Sequence, residues 1–103
     1  MSEQQAPSSH YRYLSDRFPA VLAAVENLGQ TVHSAGPIDR KTAELIQLAA
    51  AAAGQSTGSV RTHARKAREA GASSEEIEHA LLLLISTIGF PQVAAALAWI
   101  REK

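Results

Sequence analysis

From Asp16 onward, apolar residues recur at helical spacing, and short polar or glycine-bearing breaks separate the runs. Side chains at i, i+3, i+4 and i+7 share one helix face, so such a run marks an amphipathic helix with a face to bury. Phe18, Val21, Leu22, Val25, Leu28 and Val32 keep this spacing. They predict a first helix from near Asp16 to His33, with Pro19 in the first turn, where a missing N–H costs nothing. Gly36 and Pro37 end the connection that follows. Residues 1–12 are polar and carry no helical period; they are expected to form a mobile tail ahead of one helical domain over 13–103.

Asp39 is the expected N-cap of a second helix, with Ile38 placed to staple against Ala43. Leu45, Ile46, Leu48 and five consecutive alanines then leave almost no polar face after Gln47. A helix of that kind belongs at the centre of a fold or an assembly. Gly54 closes it. Gln55-Ser56-Thr57-Gly58-Ser59 reads as a turn into a third helix that ends at Gly71, with Val60, His63, Ala64, Ala67 and Ala70 as its apolar row. Ser73 and Glu76 have the spacing of a capping box, with Ala72 and Ile77 as its staple. The fourth helix runs from there through the leucines to about Ile88. Gly89-Phe90-Pro91 breaks it, and a last helix reaches about Arg101. No repeat of solenoid length is present. The expectation is an all-α bundle of about five helices, the second and fourth central.

Composition sharpens this reading. The 103 residues suffice for one domain, which at that size buries about 60–65% of its unfolded surface. The apolar share is 46% but the aromatic share only 5%, so the core is built from alanine and leucine, both strong helix formers. Alanine buries little area, and association with other copies would supply what one copy lacks. Ten basic and ten acidic residues balance, so there is no basic stripe for nucleic acid. The absence of cysteine excludes disulfides, thiolate metal sites and cysteine redox cycling. Met1 is followed by a polar stretch rather than a signal segment, and the apolar run Ala80 to Ile85 is too short to span a bilayer. A cytoplasmic protein that needs no membrane is expected.

Three places are candidates for chemistry. Glu44 lies near the start of the apolar second helix, in line with Leu48 and Ala51; its ordinary role there is to meet the helix dipole and solvent. His63 lies in the apolar row of the third helix, where a single histidine is ordinarily a hydrogen-bonded packing residue. Between them Ser56 and Ser59 stand at a helix N-terminus, a place that favours an anion, although turn and N-cap duty alone explains them. His33 and His79 read as solvated or helix-end groups. Arg61, Lys66 and Arg68 read as a solvated face. Four scattered histidines have no metal-ligand spacing, so no metal site is expected.

Taken in order, several segments carry a resemblance. They are Asp39-Arg40-Lys41-Thr42-x-Glu44-Leu45-Ile46, Ala49 to Gly54, and Ser56-x-x-Ser59-Val60-x-x-His63-x-x-x-Ala67. Ala70-Gly71-Ala72-Ser73-x-Glu75-Glu76-Ile77 and Gly89-Phe90-Pro91 follow. Over about 37–100 this pattern resembles the carboxymuconolactone decarboxylase family and its alkylhydroperoxidase-D-like branch. In that branch the serine positions are a Cys-x-x-Cys pair, and a Glu and a His complete a proton relay. Glu44 and His63 match those two, and Ser56 and Ser59 match the cysteines. A hydroxyl forms no reversible disulfide, so thiol peroxidase chemistry is not possible here.

The decarboxylase branch works without a cysteine pair. The resemblance to it implies cofactor-free loss of carbon dioxide from a small carboxylated lactone, with His63 as proton donor and Glu44 orienting it. Arg61 or Arg65 would hold the substrate carboxylate beside the helix N-terminus at Ser56 and Ser59. This branch departs too, carrying charged residues where this chain has Ser56 and Ser59, and mostly lacking Glu44. The resemblance also implies a homo-oligomer, trimer or hexamer. Three functions follow as expectations: a cysteine-free lyase on a small-molecule substrate, an antioxidant peroxiredoxin-type member lacking its thiols, or a non-catalytic binding member.

Overall fold

A computed structural model of the chain describes residues 9–101. The described residues form seven helices and no strand: α1 (Ser9–Arg17), α2 (Pro19–Ser34), α3 (Arg40–Ala53), α4 (Thr57–Glu69), α5 (Ser74–Leu82), α6 (Ile85–Ile88) and α7 (Phe90–Arg101). The fold is all-α. It divides into two compact units, the first ending at Pro37 and the second beginning at Ile38. None of the described helices is long and apolar enough to cross a membrane.

The first unit is the pair α1 and α2. Residues 1–8 of the expected tail lie outside the described residues, while Ser9 to Arg12 already belong to α1. Helix therefore begins before Asp16 and breaks at Phe18, whose φ of −136° and ψ of 58° are not helical. The cause is Pro19, whose ring pushes the residue before it out of the helical region and then starts α2 at its own first position. The Tyr11 hydroxyl donates to the Glu26 carboxylate, tying α1 to α2. Neither helix buries a residue; Val21, Val25 and Leu28 are each about 60% exposed.

The second unit is a bundle in which α3 and α4 form a tight hairpin against α5 and α7. Asp39 caps α3 as expected, accepting from the Thr42 backbone N–H at 3.1 Å and from its hydroxyl at 2.7 Å. Gly54 is the C-cap of α3 but keeps helical angles. The left-handed residue of the turn is Gln55, with φ of 57°. At the far end of α4 the Ala72 N–H bonds to Ala67 and the Gly71 N–H to Arg68, and Gly71 takes φ of 103°. This pairing satisfies the last carbonyls of the helix, and glycine meets it without strain. Ser73 and Glu76 make both hydrogen bonds of the capping box at the start of α5. The leucine run is not one helix. Leu84 bonds back to Leu81 and Thr87 back to Leu84, i+3 spacings that tighten the chain between α5 and α6.

Leu48, Ala52, Val60, Ala64, Ile77, Leu81 and Val93 form the centre of the core. The expectation that the most apolar helices are central needs correction within one chain. On α3 only Glu44, Leu48 and Ala52 are buried, while Ile46 is half exposed, and Leu82, Leu83 and Phe90 are open. Helices this short, packed on one side, each cover one stripe.

Candidate functional site

Glu44 and His63 face each other across the α3–α4 hairpin. His63 Nδ1 lies 2.7 Å from Glu44 Oε1, a charge-assisted hydrogen bond of short length. Glu44 is fully buried, whereas the His63 side chain is 23% exposed, so the pair begins in the core and ends at the surface. With Nδ1 held by the carboxylate, Nε2 is the outward atom, and it has no partner among the described residues. The ring is thus fixed in orientation with one nitrogen left for proton exchange.

Helix geometry explains the meeting. Glu44 lies one turn before Leu48 on the buried strip of α3, and His63 lies beside Val60, Ala64 and Ala67 on that of α4. A carboxylate placed there has no water and needs a partner from the facing helix. It has a second in Arg40, one turn back on α3, whose Nη1 lies 3.6 Å from Glu44 Oε2 and whose side chain is 56% exposed. Arg40 was not among the residues singled out from the sequence. The signal was there, since Arg40 and Glu44 are an i, i+4 pair of opposite charge. Gln47, a turn further on, has its Oε1 buried with no hydrogen-bond partner among the described residues.

Ser56 and Ser59 are both exposed. Ser56 occupies the N-cap position of α4, yet its side chain makes no cap hydrogen bond. Ser59 is one turn before His63, so Ser56, Ser59 and His63 follow one strip of α4. Arg61 and Arg65 do not lie on that strip; at 100° per residue they are roughly 160–200° away from His63 around the helix. Arg61 Nε donates to the Trp99 carbonyl at 3.3 Å, and Arg65 Nη1 to Glu69 Oε2 at 3.1 Å. The structure brings together Glu44 and His63, with Ser59 near, and turns both arginines elsewhere. His33 and His79 stand in the last turns of α2 and α5. Among the described residues no three His, Asp or Glu side chains gather in a way that would hold a metal ion.

A buried Glu on one helix, bonded to a His on the next, with small residues at the turn between, now stands as geometry. Comparison with known families places the chain. The profile of the carboxymuconolactone decarboxylase family matches residues 19–102. The chain belongs to that family. No curated protein and no solved structure matches it. Family membership covers α2 through α7, so Glu44, Ser56, Ser59 and His63 all lie inside the matched region.

Proposed function

We propose that this member of the carboxymuconolactone decarboxylase family is a cofactor-free lyase of the decarboxylase type, acting on a small carboxylated or lactone-like molecule. The observation that carries the reading is the 2.7 Å bond between buried Glu44 and partly buried His63. In the reaction the bond to the substrate carboxylate breaks, carbon dioxide leaves, and the electron pair remains on the substrate as an extended enolate. The imidazolium of His63 then gives its Nε2 proton to carbon, and the neutral ring regains a proton from water. Glu44 keeps the ring oriented through its bond to Nδ1, as a carboxylate does behind a catalytic histidine. Arg40, rather than Arg61 or Arg65, is the cation beside the pair and serves as the first candidate to hold the substrate carboxylate.

The test is turnover of 4-carboxymuconolactone, followed by release of carbon dioxide. Wild-type protein is expected to turn over, and His63→Ala to retain its helicity and lose turnover. Absence of turnover in the wild type overturns the lyase reading for that substrate.

A second reading has its own support, the common strip of Ser56, Ser59 and His63 beside Glu44. It makes this chain a peroxiredoxin-type member without its thiols. The double variant Ser56→Cys with Ser59→Cys would then consume peroxide in the presence of a dithiol; a variant that folds and consumes none rejects it.

A further inference from the structure

A concave feature lies at the turn end of the hairpin, away from the Glu44–His63 pair. Gln55, Pro91, Gln92, Ala95 and Trp99 line a cavity of about 200 Å³ between the α3–α4 turn and α7. Glu44 is nine residues before the end of α3, which places it about 14 Å from the turn along the helix axis. The two features also face different ways, because Arg61 points at α7 while His63, two residues on, is about 200° round α4.

Four properties of the cavity define a ligand. Its size suits one ring with a short substituent, since pockets for drug-sized molecules run from about 300 Å³ upward. Its wall includes Trp99, the single tryptophan of the chain, a partly buried indole whose face offers stacking. Among the described residues no ionisable side chain lines it, so none of these side chains offsets the desolvation of a charged guest. Finally, neither the Gln55 and Gln92 carboxamides nor the Trp99 indole N–H is engaged by another described residue. Each carboxamide both donates and accepts. Two features make these walls fixed rather than incidental. The Arg61–Trp99 hydrogen bond clamps α4 to α7 at 3.3 Å. Gln55 reaches the cavity from a left-handed backbone, an uncommon state for a residue with a side chain.

We propose that the Gln55–Gln92–Trp99 cavity is a binding site for a small uncharged aromatic ring carrying an amide-like group. The ring stacks on Trp99 between Pro91 and Ala95, and the substituent exchanges hydrogen bonds with the two carboxamides. This site is independent of the reaction proposed at His63 and stands whether or not that reaction occurs.

The probe is benzamide, titrated into the intact protein while the emission of Trp99 is followed with excitation at the red edge, where tyrosine does not absorb. A saturable change is expected. Benzoate, the same ring with a charge, should bind at least tenfold more weakly. Gln92→Leu should weaken benzamide by about tenfold, the loss of one hydrogen bond, and Ala95→Leu, which fills the cavity, should abolish the change. A linear response without saturation, equal binding of benzoate, or undiminished binding in Gln92→Leu overturns the site. Should Ala95→Leu lose its helicity, Gln92→Leu at the cavity wall decides the question alone.

Discussion

Glu44 shows how strongly one residue can constrain its neighbours. A carboxylate at zero exposure is tolerated only with partners, and the structure supplies His63 at 2.7 Å and Arg40 at 3.6 Å. His63→Ala removes the nearer one while the acid stays buried, so it should cost about 1–3 kcal/mol of stability besides any turnover. Urea unfolding measures that cost, and a loss below a few tenths would mean that Arg40 suffices for Glu44. Gln47 presents the opposite case. Its buried Oε1 has no hydrogen-bond partner among the described residues, and leaving an acceptor so costs about 1–3 kcal/mol. Gln47→Leu is close in size and carries no polar atom, and is expected to raise the unfolding midpoint. A lower midpoint would show that the amide is satisfied in solution. Sequence alone drew attention to Glu44 and His63 because each interrupts an apolar row. It gave no contact between them, since the rotation of α4 against α3 depends on the turn at Gly54 to Ser56. That turn takes its left-handed residue at Gln55, where no sequence rule would put it.

Among the helices, the ends were the most legible parts. Asp39 and the Ser73/Glu76 box cap α3 and α5 as their spacing requires, because capping is a contact between residues three apart. Ser73→Ala should lower stability by about 1 kcal/mol, and Gly71→Ala by a similar amount, since φ of 103° penalises any Cβ. Both are read from denaturant midpoints. Two carboxylates at these ends also set an acid limit. Hydrogen bonds from the Thr42 hydroxyl and N–H hold Asp39 below its ordinary value of 3.8. The Ser73 N–H and the Lys41 ammonium, 3.0 Å away, hold Glu76 below 4.5. Groups lowered on folding stabilise the native state fully above their unfolded values, and that contribution is lost as pH falls through the lowered native ones. Melting temperature should therefore fall as pH drops below about 4.5, and the double variant Asp39→Asn with Glu76→Gln should flatten the fall. The single helix expected through the leucine run became α5 and α6, because apolar periodicity does not distinguish i+4 from i+3 hydrogen bonding.

On the scale of the molecule, apolar surface is conspicuous. Val21, Val25 and Leu28 in the first unit, and Leu83 and Phe90 in the second, are each about 60% exposed. We propose that copies of the chain associate through such surface as a trimer or hexamer, which fits a core rich in alanine and poor in aromatics. Sedimentation velocity at micromolar concentration should show a species larger than one 11.0 kDa chain. A stable monomer rejects the assembly.

The sequence by itself determined the all-α class, most helix boundaries, the caps of α3 and α5 and the family, because each rests on spacing within a few residues or on a pattern along the chain. Tertiary structure alone decided that Glu44 meets His63 and that Arg61 turns to Trp99. These are contacts between helices, or choices among possible partners, and they depend on how each helix is rotated about its axis. A one-dimensional pattern fixes which face of a helix is apolar, but packing against the neighbours fixes where that face points.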